Sequence, residues 1–230
     1  MKYIIIGLGN FGASLAQKLT RLGHEVVGAD AKMAIVEAMK EKVTHTICID
    51  STDPQAVAKL PLRDADVVIV CIGEDEGANL MTTALMKQNN VRRLISRAVS
   101  PLHEAILQAM QVEEIVHPEE ETAERWAKKL NISHVVDSFE LVGEHCIVEA
   151  NVPDKFDGKS LEELGLRRNY DVVVLTTIKS VGKENLIGVV RRSAQVQGVA
   201  SASTILQKGE VMVLYGKIND IKRLLEEDED

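Results

Sequence analysis

Along the first half of the chain, short apolar runs alternate with stretches in which apolar residues recur every three or four positions. The runs Tyr3–Ile6, Glu25–Ala29, Thr46–Ile49, Val67–Cys71, Leu94–Ser96 and Glu114–Val116 read as strands, several of them continuously apolar as strands buried on both faces are. Helical spacing is expected between them, over Phe11–Leu22, Ile35–Lys42, Gln55–Lys59, Gly77–Asn89 and Leu102–Met110. Such alternation predicts a parallel sheet with helices on both faces, a Rossmann-like doubly wound α/β domain whose ligand lies beyond the carboxyl ends of the strands. A further helix, Glu119–Leu130, leads out of this domain. The pattern then changes to longer alternating segments at Val135–Val142, Cys146–Asn151, Val172–Ile178, Leu186–Val190 and Val211–Gly216, with short helices at Ser160–Leu164 and Asp220–Glu226. This predicts a small α+β carboxy-terminal domain. The boundary is expected near Asn131–Ser133, giving domains 1–132 and 133–230. The acidic end Glu226–Asp230 reads as a solvated terminus, and no internal repeat or low-complexity segment is seen.

The most specific chemistry sits where the first predicted strand meets the first predicted helix. Gly7-Leu8-Gly9-Asn10-Phe11-Gly12 is a G-x-G-x-x-G. A strand, a tight glycine turn and a helix start offer backbone N–H groups and the positive end of a helix dipole to a pyrophosphate. Gly7 allows the turn, Gly9 lets phosphate approach the backbone, and Gly12 lets helix and strand pack closely. Asp30 ends the second predicted strand, near the roughly 20-residue offset at which an acidic residue holds a ribose. A carboxylate there accepts from both ribose hydroxyls and repels a 2′-phosphate. An adenine nucleotide or NAD(H) is therefore expected rather than NADP(H). The bland alternative for Asp30 is a cap on the following helix.

Bulk properties narrow the classes. The 230 residues include 45% hydrophobic but only 3% aromatic side chains, which suits an aliphatic α/β interior. A net charge of −8, with basic residues no more clustered than Arg92-Arg93 and Arg191-Arg192, argues against nucleic acid as the main partner. Met1–Ile6 runs straight into a strand, so no signal peptide is expected. No apolar run approaches the roughly 20 residues of a membrane span, so no direct membrane insertion is expected. Cys48, Cys71 and Cys146 are isolated and read as reduced thiols in a cytoplasmic protein, with Cys48 and Cys71 packed as small hydrophobes. Met81, Met86 and Met110 read as packing residues.

Taken together, the chain resembles the RCK-type regulatory proteins of bacterial potassium uptake, the KtrA/TrkA family. The resemblance covers essentially the full length. It rests on the opening IIIGLGNFG, the Asp30 strand end, the Asp50-Ser51-Thr52-Asp53 turn, Ala65–Val70 and Ile115-Val116-His117-Pro118-Glu119. In the second half it rests on Phe156–Leu164 and Leu206–Gly216. It implies a cytoplasmic, non-catalytic subunit that forms a homodimer and a ring of dimers beneath a membrane potassium channel or transporter. It further implies that ATP, ADP, AMP or NAD(H) sets the shape of the ring. By resemblance, Gly7, Leu8, Gly9, Asn10, Phe11 and Gly12 surround the phosphates, and Asp30 and Ala31 the ribose. Asp50, Ser51 and Thr52 lie beside the adenine, with Ile72 and Gly73 nearby. Arg97 reaches a phosphate, and Glu119 stands where related proteins hold a divalent cation. Each has a plainer reading: Asp50 as a turn cap, Arg97 as a surface charge, Glu119 as the acidic start of a helix, and His117 as packing.

One position departs from the family. Potassium-uptake relatives commonly place Arg between the second and third glycines; here it is Asn10. An amide cannot neutralise a triphosphate as a guanidinium can, which weakens the case for ATP over ADP. Two other classes fit the chain less well. An NAD-dependent oxidoreductase needs a catalytic acid or base, yet no Tyr is followed by Lys four residues later and no Cys/His or Ser/His/Asp order stands out. A stand-alone sensor of a small ligand such as cyclic di-AMP would use the second domain, where Lys179, Lys183, Arg191 and Arg192 offer charge without an assignable pocket.

Overall fold

The computed structural model describes residues 1–141, 143–184 and 190–226. Two compact units are present, Met1–Glu120 and Glu121–Asp230, dividing within one helix.

In the first unit, strands β1 (Lys2–Ile6), β2 (Glu25–Asp30), β3 (His45–Cys48), β4 (Val67–Val70), β5 (Leu94–Arg97) and β6 (Glu114–Val116) form one parallel sheet in the order β3-β2-β1-β4-β5-β6. The intervening helices are α1 (Asn10–Arg21), α2 (Met33–Met39), α3 (Pro54–Val57), α4 (Glu76–Gln88) and α5 (Pro101–Ala109). The order reverses between β1 and β4, the topological switch point where doubly wound sheets bind ligands. Period-two geometry explains the apolar runs of β1. Ile4 and Ile6 face one core with Val27, Val68 and Val70, while Ile5 faces the other with Val26, Val67 and Ile69. Both faces of β1 are therefore covered, which the unbroken Ile4-Ile5-Ile6 run requires.

Helix limits shift slightly from expectation for local reasons. Asp75 caps α4 by accepting from the Ala78 N–H, and Ser100 caps α5 by accepting from the His103 N–H. Helix α2 begins at Met33 and ends at Met39, earlier than the expected Ile35–Lys42. Met81 corrects its expected packing role: it lies on the outer side of α4 with 55% of its surface exposed, whereas Met86 is fully buried. Cys71 is buried as expected; Cys48 is only half-buried.

Helix α6 (Pro118–Asn131) contains the division between units. The second unit builds an antiparallel sheet from β7 (Val135–Glu140), β8 (His145–Asn151), β9 (Val173–Glu184), β10 (Val190–Val196) and β11 (Val211–Lys217), in the order β10-β9-β11-β8-β7. The strand expected at Leu186–Val190 lies, apart from Val190, outside the described residues, as do Val142 and the acidic residues beyond Glu226. Short helices α7 (Leu161–Leu164) and α8 (Leu166–Tyr170) follow a capping box in which Ser160 and Glu163 exchange hydrogen bonds. Helix α9 (Ile218–Glu226) buries Ile221, Leu224 and Leu225 in a core shared with Val148, Leu206, Met212 and Leu214. Among the described residues, no helix is long and apolar enough to cross a membrane.

Candidate functional site

The glycine turn follows directly from sterics. Gly7 has φ +91°, a conformation L side chains rarely adopt, and donates its N–H to the Ala29 carbonyl at 2.8 Å. A β-carbon at Gly12 would lie 2.0 Å from the Gly7 carbonyl oxygen, so only glycine lets α1 pack this close. A β-carbon at Gly9 would meet nothing within 4 Å; this position opens into a cleft. Helix α1 starts there with no side-chain cap and no acidic residue in its first turn. Its first N–H groups, which have no partner within the helix, and its positive dipole end are thus left to an outside anion.

Asp30 is anchored rather than loose. Its Oδ2 accepts from the Leu8 N–H and its Oδ1 from the Lys32 N–H, both at 2.8 Å. It does not cap α2, whose first flanking residue is Lys32. Each oxygen retains a lone pair, so the carboxylate ties the turn to β2 and can still accept two further hydrogen bonds. Lys32 reaches across to Glu74 at 3.0 Å, and that hydrogen bond and charge hold its ammonium above the ordinary lysine range.

On the same side of the switch point, just past the end of β3, Asp50 binds its own turn. Its Oδ1 accepts from the Thr52 hydroxyl at 2.7 Å and the Thr52 N–H at 2.9 Å, and these two bonds hold its carboxyl below the usual carboxylate range. Ser51 turns its hydroxyl inward to Thr82, at 2.8 Å in a buried contact. Asn79, fully buried on α4, joins the ends of β4 and β5. Its Nδ2 donates to the carbonyls of Ile72 (2.8 Å) and Arg97 (3.1 Å), and its Oδ1 accepts from Ser96 (3.0 Å) and Thr83 (3.3 Å).

Arg97 lies across Gly73, where a β-carbon would stand 2.3 Å from its Nη1. Its Nη2 donates to Glu119 Oε1 at 2.5 Å and its Nη1 to the Cys71 carbonyl at 3.4 Å. Its Nε is buried without a hydrogen-bond partner. Burial pushes the Cys71 thiol up to about 12, against the opposing pull of Arg97, so this sulfur is not a thiolate at neutral pH. His117 stands 3.3 Å from Glu104. Among the described residues, no three His, Cys, Asp or Glu side chains cluster as a metal site.

These elements enclose a cleft of about 430 Å³. It gathers Gly7, Gly9, Asn10, Phe11, Asp30, Ala31, Asp50, Ser51, Thr52, Ile72, Gly73, Arg97 and Glu119. Two sequence candidates stand behind it: Leu8 contributes its N–H to Asp30 while its side chain is buried, and Gly12 serves packing. Lys32, Glu74, Asp75 and Ala78 also line the cleft, and no motif signalled them. Asn79 did carry a signal, since Asn79, Thr82 and Thr83 share with Met86 the face of α4 that is buried.

The sheet order and glycine turn place the first unit in the class of Rossmann-type domains with a nucleotide-binding fingerprint. Residues 3–118 match the TrkA-N domain. The chain is 30% identical over 222 residues to Ktr system potassium uptake protein C of Bacillus subtilis (strain 168), covering 96% of this chain and 95% of that protein. It is 28% identical to Ktr system potassium uptake protein A of the same organism, covering 96% and 94%. The chain belongs to the TrkA-N family of Ktr and Trk potassium uptake proteins. Its fold is also that of the GsuK RCK domain, with a TM-score of 0.65 at 17% identity, covering 98% of this chain and 48% of that one. A GsuK channel structure bound to NAD matches with a TM-score of 0.63 at 17% identity, covering 100% and 40%. The chain thus spans about half or less of these structural relatives.

Proposed function

We propose that this chain is a cytoplasmic, non-catalytic regulatory subunit of a potassium channel or transporter, controlled by an adenine nucleotide or NAD(H) bound at the glycine turn. The observation that carries the reading is the uncapped start of α1 opening at Gly9 onto a cleft that also holds the anchored Asp30 carboxylate. The potassium partner is inferred from the relatives named for Ktr potassium uptake, and NAD as one candidate ligand from the NAD-bound GsuK channel.

In this reading, residues 1–132 form the nucleotide domain and 133–230 the small carboxy-terminal domain. The N–H groups of α1 bind the phosphates. Asp30 accepts from the ribose hydroxyls with the lone pairs left free by Leu8 and Lys32. Because the Ser51 hydroxyl is paired with that of Thr82, the adenine side is served by backbone at Ser51 and by the Asp50 turn. Arg97 supplies charge to a phosphate. Since no three His, Cys, Asp or Glu side chains cluster as a metal site among the described residues, a divalent cation at Glu119 would draw on further ligands such as phosphate oxygens or a second subunit. The subunits pair and form a ring of dimers, and nucleotides that favour different dimer geometries bias the membrane partner. Each coupled site contributes no more than its difference in affinity between the two states, typically about 1–3 kcal/mol.

The test is titration of nucleotide-stripped protein with ATP, ADP, AMP, NAD⁺ and NADH. Tight binding of at least one, weakened at least about tenfold by Asp30→Ala, is expected, because the substitution removes both the ribose acceptor and the anchor of the turn. Binding of none of them would overturn the proposal.

A further inference from the structure

Five carboxylates line the cleft against two cations, and both cations are already held by carboxylates: Lys32 by Glu74 at 3.0 Å and Arg97 by Glu119 at 2.5 Å. A ligand phosphate entering this cleft therefore meets no idle positive side chain among the described residues.

The two partners of the Arg97–Glu119 pair are unequal. The Arg97 side chain is only 15% exposed, fixed over Gly73 and hydrogen-bonded to the Cys71 carbonyl. Glu119 is 65% exposed at the start of α6. The pair thus opens from the Glu119 side at little cost in packing. Glu119 also leaves the guanidinium half used. Arg93 shows the full fork, donating Nε and Nη2 to both oxygens of Glu114 at 2.5 and 2.6 Å. Arg97 gives Glu119 only Nη2, and its buried Nε is left without a partner. A guanidinium in this state is suited to exchange one oxyanion for another.

We infer that Glu119 is an internal competitor for phosphate: it holds Arg97 until a ligand phosphate displaces it, and so sets how strongly the cleft discriminates by phosphate charge. This rests on the nucleotide-site reading above. Glu119 acts through Arg97, as a residue that tunes specificity. The competition opposes ligands with more phosphate charge at Arg97, in the same direction as the exchange of Arg for Asn10.

The experiment titrates wild type and Glu119→Gln with ADP, NAD⁺, AMP and adenosine at fixed ionic strength in excess EDTA, so that no divalent cation contributes. Removing one exposed competing charge should tighten ADP binding on the order of fivefold. The gain should be smaller for AMP and smallest for adenosine. It should disappear in an Arg97→Gln background, whereas simple repulsion between Glu119 and the phosphates would persist there. The ordering among ligands is read on one variant and does not depend on how well Arg97→Gln folds. Unchanged or weaker ADP binding by Glu119→Gln, an equal gain for adenosine, or a gain that survives Arg97→Gln would overturn the inference alone. Wild-type protein that binds none of the four would remove the nucleotide site and the inference together.

Discussion

Replacing Gly12 by alanine places a β-carbon 2.0 Å from the Gly7 carbonyl oxygen and 3.0 Å from the Cys71 Cβ. Carbon and carbonyl oxygen settle at roughly 3.3 Å or more, so α1 and the turn must part by about 1.3 Å. The turn cannot give easily, because Gly7 is held at φ +91° by its bond to Ala29. Overpacking of this kind costs about 1–3 kcal/mol, occasionally more, and backbone on the receiving side puts Gly12 at the upper end. Against this stands at most about 1 kcal/mol of helix propensity gained by alanine over glycine. The net loss is about 2 kcal/mol. The same methyl at Gly9 meets nothing within 4 Å, and φ −64° is open to any residue. There the loss of a favourable helix-cap residue and the reduced freedom of the unfolded chain, each up to about 1 kcal/mol, nearly cancel. Urea denaturation without nucleotide measures the contrast. The only tryptophan, Trp126, lies in the second unit, so fluorescence reports that unit and far-ultraviolet circular dichroism is needed for the first. With a slope near 2 kcal/mol/M, Gly12→Ala should lower the first unit's midpoint by about 1 M while Gly9→Ala leaves it nearly in place. A Gly12→Ala midpoint equal to wild type, or equal losses in both variants, would refute the steric account of the turn.

Asn79→Ala should destabilise the first unit by about 2–4 kcal/mol, since it removes the Asn79 donor from the Ile72 and Arg97 carbonyls and leaves the Ser96 and Thr83 hydroxyls only each other, at 3.1 Å, inside the core; a urea midpoint within error of wild type would count against the network. His103 is fully buried with both ring nitrogens unpartnered, and burial holds its pKa below 6.5 despite the opposing charge of Glu76. The folded state then binds fewer protons than the unfolded state, so stability is complete above pH 6.5 and falls as pH drops from there toward the lowered folded value. His103→Leu should flatten that part of the stability–pH curve, and an unchanged slope would show that other groups govern it.

The amino-acid order alone determined the alternation of the first unit, the strand–turn–helix at Gly7–Gly12 and the strand-end position of Asp30. Each of these depends on local periodicity, on φ at a glycine, or on an offset of about 20 residues within one βαβ unit. The change from a strand–helix alternation to a strand-rich half was legible for the same reason, because the hydrophobic pattern changes near Val135, whereas the antiparallel pairing of that half was seen only in the structure. Tertiary structure decided what the side chains do once the strands are side by side. The Ser51 hydroxyl paired with that of Thr82, 31 positions away, and Asn79 bridged β4 and β5 through partners as far as Arg97. Arg97 found Glu119 across 22 positions. No periodicity encodes such pairings, because they arise only when the sheet order brings the carboxyl ends of β1, β3, β4 and β5 to one edge. A polar side chain removed from water there must take whichever partner that edge supplies.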